Sequence, residues 1–518
     1  MENISKEYTR LRRDSDIYTD TGADYSLPDY NGDIKRVLYT SAAVTPASRY
    51  SDTDAIGTSG IVTYDVIYVN AENKIDRITF TSDYDITAKL RVESITGSDI
   101  ETRVSAFSHR LSGPRRINMK ATLVSEIRVT EASAINTEIS GAAADDAECI
   151  MKNLNVYTCS FAHSAEREYA ENIMSAEGVI EDEVEIIHTA IHPVLEEISS
   201  VDGGVAIKGY FNVCELIKCG EGAPILYKKR IGIDEIIACE DAKADMAATA
   251  YSSVNSISSS VTADESGISV SVSVIAEFCV SAFGNKEVRI IRDAYLKSSA
   301  CSVSYEDFTY STYLTSEKKI CCATHTLPLC QICEDGIQNV IYTSAVPKLC
   351  EVELSDSSAK IGMELKLQGI CANIDETGEE NYYSMKNSFK REEKVSFDCQ
   401  IPSDAHIDCK VRIADVVATI DEENMYIDVC YILDTAVYVT EKETRMCELS
   451  AKPEERYEKR ESEIIVYYPT EDDTLFSVAR MFHTSARQIA ADNLLHESVI
   501  MDSSLRGGLT GIKKLIIK

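Results

Sequence analysis

The chain has 518 residues, with 85 Asp+Glu against 52 Lys+Arg and a formal net charge of −33, and that length predicts about three to five domains. Acidity on this scale repels phosphate backbones and anionic headgroups, which are bound by clustered Lys and Arg, so nucleic-acid and membrane-surface binding drop out as leading functions. A hydrophobic fraction of 44% with 26% charged residues is that of ordinary globular domains and excludes an acidic disordered chain.

In chain order, residues 1–25 read as an N-terminal arm. Lys6, Arg10, Arg12 and Arg13 are followed by no apolar leader segment, and no stretch of the chain reaches the ~18–20 apolar residues of a spanning helix. A cytoplasmic protein without membrane insertion is expected. The 17 cysteines run from Cys149 to Cys447 without the paired spacing of a small disulfide scaffold, which points to reduced, mostly buried thiols.

Three copies of one unit follow, at 26–142, 181–315 and 326–450, with a helical connector expected at 143–180 from the segment Asp145–Leu154. The first and third copies share Ile34-x-x-Val37-Leu38-Tyr39-Thr40-Ser41-Ala42 and Ile337-x-x-Val340-Ile341-Tyr342-Thr343-Ser344-Ala345, each preceded by Leu-Pro (Leu27-Pro28, Leu327-Pro328). Ile186-Ile187-His188-Thr189-Ala190 is the weaker middle copy. A period of this length exceeds the 20–50 residues of a solenoid repeat and indicates duplicated domains. Gly60, Gly209 and Gly369 each lie in an alternating run, in phase with Val62, Tyr64 and Val66, with Val205, Ile207, Phe211 and Val213, and with Met363, Leu365, Leu367 and Cys371. Alternation marks a half-buried strand, and a glycine on the apolar face marks a bulge or the close approach of another backbone. A later strand recurs at Ile117-x-Met119-x-Ala121-x-Leu123, Ile268-x-Val270-x-Val272-x-Val274 and Ile427-x-Val429-x-Tyr431-x-Leu433. These patterns predict a mainly β protein of tandem antiparallel sandwich-like domains.

The segment 451–462 reads as a charged linker, because Lys452–Glu461 (KPEERYEKRE) cannot supply a core face. Residues 463–518 hold seven acidic and six basic side chains, so nearly all the negative charge belongs to the repeats. Here Ile464–Tyr468 predicts a strand, Leu475, Val478, Ala479 and Phe482 a helix capped by Asp473 or Thr474, Ser485–Asp492 a second helix, and Lys514–Ile517 a closing strand. The expected fold of this segment is a small α+β domain of order βααβ.

Several of these residues carry a resemblance. Tyr468, Asp473-Thr474-Leu475, Val478-Ala479, Ile489, Asn493-Leu494, Gly511 and Leu515-Ile516-Ile517 resemble the LysM module, which binds N-acetylglucosamine glycans such as peptidoglycan. The resemblance implies a binding groove from Asp473, Thr474, Leu475, Phe476 and Asn493 on one side and Val499, Ile500 and Met501 on the other. The stretches Leu27-Pro28-Asp29-Tyr30, Ile207-Lys208-Gly209-x-Phe211-Asn212-Val213 and Val288–Leu296 (VRIIRDAYL) resemble SPOCS units of spore-coat morphogenetic proteins. Tandem SPOCS units ending in one LysM domain is the layout of the SipL-like family. That resemblance implies a non-enzymatic scaffold of the mother-cell cytoplasm that settles on the forespore surface. Its implied partners are the stage IV sporulation ATPase of the coat basement layer and other coat proteins. The alternative is a peptidoglycan-binding protein whose LysM domain holds cortex or cell-wall glycan.

No P-loop, GxGxxG or GxSxG occurs, and no cofactor is expected. The sharpest donor cluster is Cys321, Cys322, His325, Cys330 and Cys333, which offers zinc-type ligands around one CxxC, although packed thiols are the plainer reading and no metal is expected. His188 and His192 lie in a strand-like run without a metal-site context and read as core or surface histidines. Asp52-x-Asp54-x-Ile56-Gly57 begins like a calcium loop but lacks the later acidic ligands.

Overall fold

The computed structural model describes residues 3–13, 16–52, 55–89, 95–139, 145–176, 184–220, 222–264, 267–333, 336–374, 378–457, 464–495, 509 and 511–518. Within them the chain is mainly β, with antiparallel sheets throughout and two short helices near the C-terminus. No described helix is long and apolar enough to cross a membrane.

Each repeat is built from two sheets. In unit 1, β3 (Ile34–Ser51), β4 (Ala55–Asn70) and β5 (Ile75–Lys89) form a meander. The second sheet is centred on β7 (Arg116–Ile139), with β6 (Ile95–Gly113) on one edge and both β1 (Asn3–Arg13) and β2 (Ile17–Ser26) on the other. Unit 2 repeats the plan. Its meander is β10 (Val184–Val201), β11 (Gly204–Cys219) and β12 (Ile225–Ala238); its second sheet centres on β14 (Gly267–Leu296), flanked by β13 (Ala247–Asp264) and by β8 (Ala147–His163) with β9 (Arg167–Ala176). In unit 3, β16 (Asn339–Ser355), β17 (Ser358–Ile374) and β18 (Glu380–Ser396) form the meander. Here β20 (Asn424–Arg456) is flanked by β19 (Ala405–Asp421) and one uninterrupted strand, β15 (Ser299–Pro328).

The expected boundaries therefore move. The arm at 1–25 is the split edge strand of unit 1. The helical connector at 143–180 is the equivalent edge strand of unit 2: Leu154 and Val156 on one face of β8 and Cys159 on the other are buried, and the unpaired edge of β14 captures a segment whose local pattern also suits a helix. Unit 2 ends at Leu296 and unit 3 begins at Ser299, not at 315 and 326, because β15 supplies that same edge. The charged linker starts late, since β20 continues through Arg456. The thiols are not all reduced: Cys322 and Cys430, facing each other across β15 and β20, form a disulfide.

The sandwich cores lie where the alternation placed them. Val62, Tyr64, Val66 and Tyr68 face Ile117, Met119, Ala121 and Leu123 in unit 1; Val205, Ile207, Phe211 and Val213 face Val272, Val274, Ala276 and Phe278 in unit 2; Met363, Leu365 and Leu367 face Ile427, Val429, Tyr431 and Leu433 in unit 3. Each Val, Leu, Ile, Phe or Met among them contributes roughly 1.5–3 kcal/mol by leaving water. Gly60 and Gly209 sit opposite β-bulges in β3 and β10, and a Cβ there would lie 2.2 Å from the Thr45 carbonyl oxygen and 2.0 Å from that of Val194. Gly369 is not their counterpart. The position opposite Leu349, which matches Gly60 opposite Pro46 and Gly209 opposite Leu195, is held by Met363.

The recurring Leu-Tyr-Thr motif lies where the three units meet. Tyr39, His188 and Tyr342 each follow a bulge in the first meander strand, and their rings form a triangle with centroids 5.4, 5.1 and 4.9 Å apart. Around them Leu38, Ile67, Ile187, Leu216, Ile341 and Ile370 close a buried apolar cluster drawn from all three units.

Candidate functional site

The C-terminal segment folds in the expected order: β21 (Ile465–Tyr467), α1 (Leu475–Met481), α2 (Ala486–Asp492) and β22 (Leu515–Ile517), with β21 and β22 antiparallel. Thr474 caps α1 reciprocally: its Oγ1 accepts from the Ser477 N–H at 3.1 Å, and the Ser477 hydroxyl oxygen accepts from the Thr474 N–H at 3.0 Å. Asp473 Oδ2 accepts from the Tyr467 hydroxyl at 2.8 Å and from the Thr470 N–H at 2.7 Å. Burial works to raise its carboxyl, but these donors outweigh it and hold the group below the usual carboxylate range. Leu475 is fully buried in the module core. The Asn493 side chain bridges α2 and β22, donating to the Ile489 and Ile516 carbonyls at 2.8 and 2.6 Å and accepting from the Ile516 N–H at 2.6 Å.

The structure therefore gives the expected groove residues other duties. Thr474 caps, Leu475 packs, and Asn493 clips backbone. Phe476 is buried against Tyr295 of β14 in an edge-on contact at 5.0 Å. Val499, Ile500 and Met501 lie outside the described residues.

What the resemblance does not point to is the contact that seats the module. Arg480 of α1 donates to Asp293 Oδ1 at 2.6 Å and to the Ala294 carbonyl at 2.9 Å, with its guanidinium over the rings of Tyr295 and Phe476. The Tyr295 hydroxyl donates to the Thr484 carbonyl at 2.7 Å, and Tyr457 stacks on His483. Burial of Tyr295 pushes its phenol well above the ordinary tyrosine value. A recess of about 400 Å³ remains beside this contact, lined by Ile150, Arg292, Asp293, Tyr305 and Thr444 from the body and Ser477 from the module. Asp293, Ala294 and Tyr295 lie in the VRIIRDAYL segment. Its pattern marked a repeat landmark and gave no sign of the docking.

Away from this contact the module exposes apolar side chains. Ile464, Val466 and Tyr468, alternate residues along β21 and its flanks, are 68%, 48% and 69% exposed, and Leu494 at the end of α2 is 95% exposed.

The units of the body are joined by ion pairs. Lys410 of β19 bridges Glu101 and Glu126 of unit 1, and Arg412 pairs with Glu101 at 3.5 Å and Asp434 at 2.7 Å. Burial acts to raise the Glu101 carboxyl, yet Lys410 and Arg412 hold it far below its usual value. Asp65 accepts from Arg77 at 2.6 Å and lies 2.6 Å from His188 Nδ1, which gives that ring nitrogen a partner, while His188 Nε2 is buried without one. Beside it a cavity of about 870 Å³ is lined by Tyr39, Ser41, Asp65, Arg77, His188 and Tyr342 among others.

The zinc-type donors between Cys321 and Cys333 do not converge. Cys322 is consumed by its disulfide with Cys430, His325 stacks on Phe389 at 4.6 Å, Cys330 is exposed, and Cys321 and Cys333 are buried in the unit 3 core. Among the described residues the donors that do converge are Asp99, His163 and Cys279, far apart in sequence and therefore invisible to spacing rules. No family model and no curated protein matches the chain.

Proposed function

We propose that the protein is a non-enzymatic scaffold of the SipL-like kind, acting in the mother-cell cytoplasm at the forespore surface. It links the coat basement layer to other coat proteins, and its LysM-like C-terminal module docks on the stage IV sporulation ATPase. The observation that carries this reading is the division of the module's side chains between docked and exposed. Phe476 and Arg480 are held by Tyr295 and Asp293, while Ile464, Val466, Tyr468 and Leu494 stay exposed to a partner. Exposed aromatic and aliphatic anchors of this type suit a protein interface. The glycan alternative needs an aromatic platform open to a sugar ring, and Phe476, the aromatic of the expected groove, is covered.

The test is direct. Full-length protein carrying Tyr468→Ala with Leu494→Asp, both at exposed positions, is compared with the parent for binding to the ATPase and to peptidoglycan oligomers, and as a fluorescent fusion in sporulating cells. Loss of ATPase binding and of the forespore ring with the fold intact is the expected result. Saturable peptidoglycan binding without ATPase binding by the parent protein overturns the proposal.

A further inference from the structure

Units 1 and 2 meet at a strip where three metal-type donors come together from separate strands. His163 of β8 and Cys279 of β14 are direct partners across the antiparallel ladder of unit 2, with His163 Nδ1 3.1 Å from Cys279 Sγ. Asp99 of β6 arrives from unit 1. One carboxylate oxygen, one ring nitrogen and the sulfur all lie within 4.8 Å of one another, and Asp99 and Cys279 are each only 3% exposed.

We propose that Asp99, His163 and Cys279 form a binding site for a zinc-class divalent cation that fastens unit 1 to unit 2. A tetrahedral zinc with bonds of about 2.0–2.3 Å places its ligand atoms roughly 3.3–3.8 Å apart, so donors already inside 4.8 Å close on the ion through small side-chain adjustments. Thiolate, imidazole and carboxylate together select zinc or a similar transition metal over magnesium and calcium, which take oxygen donors. Two of the ligands are fixed by one ladder, so their relative position is set by the sheet.

The neighbours are compatible with that role. Asp99 Oδ1 accepts from the Tyr251 hydroxyl at 2.8 Å, and Oδ2 is held by Arg128; a carboxylate has about four lone-pair positions, which leaves room for a metal. Of the cations near the strip, Arg128 pairs with Asp99 and Arg49 with both oxygens of Glu277 at 2.9 Å. Glu277 Oε1 also lies 3.3 Å from His163 Nδ1, the same nitrogen that meets Cys279 Sγ, so a metal bound there takes the place of that contact. Three protein ligands leave a fourth position for water. Because Asp99 comes from a different unit than the other two, the site is complete only when units 1 and 2 are docked.

The experiment uses the full chain, stripped with chelator and titrated with Co²⁺. The expected result is a thiolate-to-cobalt charge-transfer absorption that saturates near about one ion per chain and is bleached by added Zn²⁺. Cys279→Ser abolishes the band and His163→Gln lowers its intensity and the affinity, with circular dichroism confirming the fold. Tyr251→Phe, which removes a hydroxyl that donates to Asp99 and also meets the Ile100 carbonyl and Cys279, weakens binding about tenfold. Cys333→Ser and Cys371→Ser leave the band unchanged. Should Cys279→Ser fail to fold, the exposed His163 variant decides. Absence of the band in the parent, its survival in Cys279→Ser or in His163→Gln, or its loss in Cys333→Ser overturns the proposal.

Discussion

His192 shows how one side chain ties stability to pH. It lies on β10, where unit 2 meets unit 3, and faces Asp415, Lys228 and His188. Burial is the main influence on it, and Lys228 and His188 act in the same direction against the opposing pull of Asp415; the imidazole is depressed to about 4. The unfolded chain titrates this group near 6.5 and so binds more protons than the folded one between those values. The contribution of a neutral His192 is thus complete above about pH 6.5 and is lost as pH falls towards 4, at a cost on the order of 2 kcal/mol. Urea midpoints at pH 7 and pH 5 measure it. His192→Gln, neutral at both, is expected to shrink the pH 5 deficit of the parent; an equal deficit in both proteins rules the mechanism out.

At the scale of elements, α1 is the piece that fixes the module to the body, and Arg480 is its chief polar contact. Arg480→Ala removes charge-assisted hydrogen bonds to Asp293 and Ala294, while Tyr295 keeps its ring against Phe476. With Arg480 partly exposed, the loss is about 1–2 kcal/mol, which raises the undocked population roughly 5–30-fold. Limited proteolysis of the charged segment beyond Tyr457 is expected to accelerate accordingly, with α1 still protected from hydrogen exchange; an unchanged cleavage rate shows that the aromatic contact alone holds the module. Much of this element structure is written in local pattern. The phase of Val62, Tyr64 and Val66, the βααβ order and the cap at Thr474 follow from period and turn chemistry, because each depends on near neighbours in sequence. The strand at Ala147–His163 does not, since its β state is imposed by pairing with β14, more than a hundred residues downstream. The docking of Arg480 on Asp293 and the meeting of Asp99 with Cys279 are likewise set by how units pack, and no spacing rule reaches that far.

In the whole molecule, the repeated motif that reveals three copies also decides whether those copies are independent. Leu38-Tyr39, Ile187-His188 and Ile341-Tyr342 point away from their own sandwich cores and into one shared cluster, closed by Ile67, Leu216 and Ile370. A unit removed from its neighbours would expose that face to water, and the ion pairs of Lys410 and Arg412 with Glu101 and Glu126 would lose their partners as well. The three units are therefore expected to unfold together rather than as three separate domains. Leu216→Asp tests this, since Leu216 is fully buried and a carboxylate there is taken out of water among apolar side chains, a change that costs several kcal/mol. Calorimetry of the parent should show one dominant transition for the β-rich body, and the variant should shift that whole transition downward. If the parent instead melts in three steps and Leu216→Asp lowers one of them, the shared cluster does not couple the units, and the chain is three beads on a string that happen to touch.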